Sequence, residues 1–224
     1  MSHSPAQREL DTLVITAELT MISITQGVAL YFLIESSKEI IVNMQLPYLP
    51  YIITGLLVIF IFWSRTILHT LTIIRWPLEF THNFMYIAST LIEAILVTQI
   101  ARIFYWNLFS GITAIMVLLT FFVDLRMIHR LKKEAADPEE SGFIALLEQE
   151  QMFNMRWIVP LMITASGVII TLQTLLPNVF LYSNGHIILI SLQGFSLLAY
   201  LLYTLKFYRR ILPDILRYRK REWS

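Results

Sequence analysis

The chain has 224 residues, of which 56% are hydrophobic and only 15% charged, whereas a soluble domain carries about 25% charged residues. The formal net charge of +1 points to no charged partner, and the positions of the charges are more informative. The absence of cysteine excludes disulfides, thiolate metal sites, iron–sulfur clusters and cysteine nucleophiles.

The apolar residues lie in long runs, which is typical of an all-α polytopic membrane protein. Runs of about 20 residues predict six transmembrane helices, over residues 13–34, 48–68, 80–103, 106–125, 157–176 and 186–205. The N-terminal sequence lacks the pattern of a cleavable signal peptide. The first run is therefore expected to remain in the mature protein.

Lysine and arginine residues are concentrated in alternate connections between the runs. Arg65 and Arg75 flank the second connection, and the fourth contains RMIHRLKKE, whereas the opposite side has only Lys38 and Arg102. By the positive-inside rule this pattern predicts N- and C-termini in the cytoplasm. We expect a multi-pass protein of the bacterial inner membrane. Residues 1–212 would form the transmembrane domain, with a cytoplasmic amphipathic loop at 131–156, and residues 213–224 a basic tail.

Two cytoplasmic segments are candidates for regulation. The spacing of apolar residues in the segment 131–156 predicts an amphipathic helix. This helix either lies on the bilayer surface or acts as a gating or subunit-contact helix. The C-terminal segment predicts a helix interrupted near Pro213. Its basic residues suit lipid headgroups or an anionic ligand such as a nucleotide or oligonucleotide; they are Arg209, Arg210, Arg217, Arg219, Lys220 and Arg221.

The third run, STLIEAILVTQIARIF, places Glu93 among apolar residues. At helical spacing His82, Tyr86, Ser89 and Glu93 share one face. A carboxylate facing lipid is unfavourable, so this face is expected to meet protein or water. Two alternatives remain for Glu93: a cation, proton or pore site, or a neutral acid hydrogen-bonded between helices.

The first run contributes three further pore or gating candidates, Glu18, Ser23 and Gln26. Small and polar residues of this run form a stripe that either lets helices pack closely or lines a hydrated path; they are Thr16, Thr20, Ser23 and Gly27.

Asp124, at the inner end of the fourth run, is expected to pair at headgroup depth with an arginine such as Arg65. No histidine pair has metal-binding helical spacing, and no hydrolase, P-loop or dinucleotide motif is present. The sequence thus predicts neither enzyme nor cofactor.

One stretch, YIITGLLVIFIFWSRTILHTL, resembles the second helix of the bacterial six-helix relatives of the lysosomal potassium channel. The resemblance rests on the pair Phe62 and Trp63, followed by a polar segment that ends at His69. The Phe-Ser-Asp signature of that family's first helix is absent here, where only the preceding arginine, Arg8, has a counterpart. The resemblance implies a tetramer around a pore lined by first helices.

Taken together, these patterns predict a homo-oligomeric, cation-conducting ion channel that is gated from the cytoplasmic side, and the resemblance implies that it is a tetramer. A membrane effector of a bacterial stress or antiviral system would fit this form. The alternatives are a proton-coupled transporter of small solutes and a non-transporting membrane scaffold. The expected partners are the lipid bilayer, further copies of the chain, inorganic ions and an anionic cytoplasmic ligand.

Overall fold

The computed structural model describes residues 5–72, 80–135 and 138–223, apart from the side chains of 5–12, 14, 15, 18, 80, 134, 139, 140 and 218–223. Every regular element in these ranges is helical. The helices are α1 Pro5–Val42, α2 Leu49–Thr72, α3 Phe80–Val97, α4 Ile103–Glu134, α5 Pro138–Phe153, α6 Val159–Leu175 and α7 Gly185–Trp223. A 3-10 turn, Leu46–Tyr48, precedes α2, and π-helical turns at Asn154–Ile158 and Asn178–Tyr182 flank α6.

Five helical segments in the described ranges are long and apolar enough to cross a membrane. They are Leu19–Val42, Leu46–Thr72, Ile103–Lys133, Ser141–Leu175 and Gly185–Arg217. Helix α3 is not one of the five; it has 18 residues and includes His82, Asn83 and Glu93. The all-α, multi-pass character is therefore confirmed, and the sixth span stays a prediction.

Contacts between helices define two ends of the bundle. At one end the start of α2 meets the starts of α4 and α7, since the Tyr51 ring packs edge-on against Trp106 and its hydroxyl lies 3.3 Å from His186 Nδ1. At the other end, which we call the network end, the last part of α2 meets α5, because Arg65 binds Glu150. Helices α2, α4 and α7 therefore begin at the same end of the bundle, and α2 ends at the network end.

A hydrophobic cluster closes the network end. Helix α5 buries Phe143, Ile144 and Leu147 against the ends of α2, α4 and α7. The segment predicted as an amphipathic helix is thus a helix packed on protein. Helix α7 continues through Pro213, contrary to the predicted interruption. Buried residues on either side of the proline, Ile211 and Ile215, belong to the same cluster and hold the helix in place.

The outer surface of the bundle is apolar. Large hydrophobic side chains are exposed along the candidate spans, among them Ile34 at 68%, Leu161 at 68%, Ile188 at 74% and Phe195 at 69%. Contiguous exposed apolar surface of this extent marks a membrane or protein interaction site. Together with the length of the helices, it supports a lipid-facing surface.

Gly55 is expected to be intolerant of larger side chains, because α2 passes close to its neighbours there. A Cβ atom would lie 3.0 Å from Leu33 Cδ1 and 3.5 Å from Trp106 and Val97. Overpacking a well-packed core costs about 1–3 kcal/mol, so Gly55→Leu should lower the melting temperature of the detergent-solubilised protein. Gly167→Leu is the control, since nothing lies within 4 Å of its Cβ position. Equal melting temperatures for the two variants would contradict the close approach.

Candidate functional site

A partly open cavity of about 100 Å³ lies within the single chain, between α2, α3, α4, α6 and α7. This volume exceeds the roughly 10–15 Å³ that one water molecule needs, so the cavity has room for several waters or a small solute. Its polar wall residues are Arg65, Thr66, His69, His82, Tyr86, Ser89, Ser110, Thr113, Thr120, Gln193 and Tyr200. The remaining wall residues are Val58, Ile61, Phe62, Leu96, Val117, Phe121, Ile158, Val159, Met162 and Leu197.

The cavity is elongated along the bundle. On α4 its wall extends from Ser110 to Phe121, and on α2 from Val58 to His69. At 1.5 Å per residue each stretch is about 16 Å long, which is about half of a 30 Å hydrocarbon core. Hydroxyl groups occur along this length, and charged side chains are confined to the network end.

The network end of the cavity contains a buried ion pair. Arg65 Nη1 donates to Glu150 Oε1 at 2.5 Å, and Nη2 donates to Glu150 Oε2 and Gln151 Oε1, each at 3.2 Å. Both charged side chains are less than a tenth exposed. Asn154 Nδ2 donates to the same Oε1 at 2.6 Å. The bidentate geometry joins α2 to α5.

Asp124 forms the second half of this cluster. It is fully buried, and its two carboxylate oxygens lie 3.0 Å from His69 Nδ1 and 3.1 Å from His82 Nδ1. Gln151 Nε2 donates to Asp124 Oδ2 at 3.2 Å and so connects the two halves. We call Arg65, His69, His82, Asp124, Glu150, Gln151 and Asn154 the charge network.

Arg65 and Asp124 lie within candidate spans, whereas His82 lies near the start of α3, which is not one of the five. Arg65 precedes the end of its segment, Thr72, by about 10 Å of helix, and Asp124 precedes Lys133 by about 14 Å. Burying charge at this depth is unfavourable unless each charge is paired and hydrogen-bonded. Polar residues retained at such depth commonly mark a solute or proton path.

The π-helical turn at Asn154–Ile158 links the network to the cavity wall. Its extra residue per turn changes the direction of side chains between α5 and α6. Glu150, before the turn, points into the network, and Val159, after it, lines the cavity. Such turns occur frequently at functional sites.

Glu93 lies outside the cavity wall, although the predicted face of α3 is buried as expected. His82, Tyr86, Ser89 and Glu93 are all at most 6% exposed. Gln26 Nε2 of α1 donates to Glu93 Oε2 at 3.3 Å, and the Oε1 atoms of both residues lack a hydrogen-bond partner. Glu93 therefore joins α1 to α3.

The remaining predicted site residues are dispersed. His82 and Ser89 line the cavity, and Ser89 Oγ lies 3.2 Å from Thr120 Oγ1. Ser23 is exposed on α1, where it donates to its own helix at Leu19 O. In the basic segment the side chains of Arg209, Arg210 and Arg217 are exposed. The side chains of Glu18, Arg219, Lys220 and Arg221 lie outside the described residues.

The sequence interpretation assigned the wrong partner to Asp124. The expected ion pair with Arg65 at headgroup depth is replaced by two histidines in a fully buried site. His69, Glu150 and Gln151 were not among the candidates. An available signal was the spacing of Arg65 and His69, which places two polar residues on one face of an apolar helix.

Comparison with protein-family models, curated proteins and solved structures finds no match to this chain.

Proposed function

We propose that the protein is a membrane transporter that moves a small solute together with protons through the cavity within each chain. The observation that carries this proposal is the position of the His69–Asp124–His82 cluster on the wall of the cavity. Histidine changes charge between pH 5 and 8. Two histidines that share a carboxylate can take up and release a proton beside a bound solute.

The ion pair of Arg65 and Glu150 would act as the inner closure of the path. It ties α5 to α2 beside the cavity, and the π-helical turn separates α5 from α6. A movement of α5 that separated the two charges would open the cavity toward the network end. Exposing a buried pair to water removes its desolvation penalty, so such an opening is energetically accessible.

The proposal includes six spans with both termini in the cytoplasm, α3 being the sixth. Its support is the asymmetry of basic residues between the two ends of the bundle. The network end carries the basic ends of α4 and α7, whereas Lys38, near the end of α1, and Arg102, directly before α4, lie toward the opposite end. Cytoplasmic ends are the ones enriched in lysine and arginine.

The test is proton movement in liposomes that contain the purified protein and an internal pH dye. External lactate, glycine, ethanolamine and glycerol are added in turn under an inward proton gradient. We expect one solute class to produce saturable proton movement above that of protein-free liposomes. If none of the four changes proton movement in liposomes shown to contain folded protein, the proposed function is wrong.

A cation channel formed between chains is a second candidate, because α1 carries an exposed small polar stripe. Thr20, Ser23 and Gly27 are exposed, and no described residue of α1 lines the cavity. Four copies that met along this stripe would surround a path near Glu18. Stepwise currents across a planar bilayer under a KCl gradient, with a cation-side reversal potential, would favour this channel over the transporter.

A further inference from the structure

The substrate class follows from which charged groups face the cavity, an argument that rests on the proposed function. Arg65, His69 and His82 line the wall. Asp124 and Glu150 bind these three residues but are not themselves part of the cavity wall. Among the described residues, the wall therefore presents the Arg65 guanidinium, imidazole rings and hydroxyl groups and no carboxylate.

Arg65 retains a donor that no described group uses. Its two terminal nitrogens bind Glu150 and Gln151, while the buried Nε has no hydrogen-bond partner. The side chain is 8% exposed, so bulk water does not replace the missing acceptor. An unsatisfied donor on a charged group is costly, and an acceptor supplied by a bound solute would remove that cost.

A second unsatisfied polar group, this time a hydroxyl, lies farther along the same wall. Thr113 Oγ1 is buried and without a partner. Eight residues of α4 separate Thr113 from Phe121, whose ring lies against the Arg65 guanidinium at 5.1 Å. The two positions are thus about 12 Å apart along the helix, and they mark successive polar positions on one path rather than a single ligand shell.

We propose that the transported solute is a small monovalent anion, which passes the hydroxyl groups of α4 and binds at Arg65, His69 and His82. The apolar residues of the cavity wall, among them Phe62, Val159 and Leu197, would accommodate the carbon atoms of an organic anion. An organic carboxylate and an inorganic anion share this chemistry. A proton taken up by a histidine would balance the charge of either.

Binding to the purified, full-length protein in detergent tests the anion separately from transport. The ligands are lactate, nitrate, lactamide and ethylammonium, with sulfate as the balancing ion. We expect lactate or nitrate to raise the melting temperature with saturation, because a ligand that binds the folded state stabilises it. Lactamide and ethylammonium should have no such effect. Stabilisation by lactate alone identifies a carboxylate, and stabilisation by both identifies a general anion site.

Arg65→Lys keeps the positive charge beside Glu150 but removes Nε. We expect anion binding to weaken about tenfold, because a hydrogen bond to a charged group is lost. Arg126→Lys is the matched control: Arg126 lies over the Phe122 ring at the exposed surface, away from the cavity. Equal affinity in the two variants, or stabilisation by ethylammonium or lactamide instead of anions, would overturn the inference.

The two proposals fail in different ways. Anion binding without solute-dependent proton movement would contradict the proposed function alone. Proton movement driven by glycerol or ethanolamine, without anion binding, would contradict the anion inference alone.

Discussion

Replacing Arg65 by methionine is expected to lower the melting temperature of the protein more than any other single change considered. The substitution leaves the Glu150 carboxylate in a site where it is less than a tenth exposed and loses both of its arginine donors. Removing one partner of a buried ion pair costs about 3–5 kcal/mol. For a chain of this size that corresponds to a shift of about 6–20 °C, measurable by thermal unfolding in detergent.

A second, exposed ion pair provides the control. Lys132 Nζ lies 2.5 Å from Glu148 Oε2, the same separation as in the buried pair, but its side chain is 44% exposed. Exposed pairs contribute about 0–1 kcal/mol, so Lys132→Met should leave the melting temperature nearly unchanged. Similar shifts for Arg65→Met and Lys132→Met would show that burial does not determine the effect.

The double variant Arg65→Met with Glu150→Leu separates folding from function. Replacing both partners by apolar residues is often neutral for stability, and Asn154 Nδ2 keeps a bond to the backbone oxygen of residue 150 at 2.9 Å. We expect the double variant to regain most of the lost stability and to remain inactive in the liposome assay. An unstable double variant would mean that the pair is not the source of the loss.

The helices were largely predictable, because hydropathy is a local property. Five of the six predicted runs overlap segments that qualify as membrane-spanning. The fifth extends farther than expected, because α5 joins α6 through the π-helical turn in one segment from Ser141 to Leu175. The buried face of α3 was also predictable from helical spacing.

The charge network was not predictable, because its contacts join distant parts of the chain. Arg65 and Glu150 are 85 residues apart, and His82 and Asp124 are 42 apart. Glu150 lay in a segment interpreted as a cytoplasmic loop, where an acidic residue at helical spacing is expected to face solvent. The packing of α5 against α2 and α4 brings Glu150 to Arg65, and the packing of α3 against α4 brings His82 to Asp124. Glu93 was a candidate because it is a carboxylate within an apolar run of the sequence. Its contact with Gln26 lies away from the cavity.

Asp124→Asn is expected to lower solute-coupled proton movement at least about tenfold, which is about 1.4 kcal/mol in the barrier. The amide keeps the size of the side chain but removes the negative charge that His69 and His82 share. Its nitrogen also cannot accept a hydrogen bond from a ring N–H. The histidines would then lose their common partner, and the rate should fall throughout the range from pH 5 to 8. The measurement is the initial rate of proton movement in liposomes across this pH range.

Glu93→Gln is the matched control, since Glu93 and Asp124 are both fully buried and each change replaces a carboxylate by its amide. Glu93 contacts Gln26 rather than a histidine and is not on the cavity wall. We therefore expect a rate within about twofold of the unmodified protein, a change below about 0.5 kcal/mol. The opposite result, in which Glu93→Gln stops transport and Asp124→Asn does not, would place the path between α1 and α3. That result would favour a pore lined by α1 over a path through the cavity, because Gln26 and Glu93 belong to the α1–α3 contact.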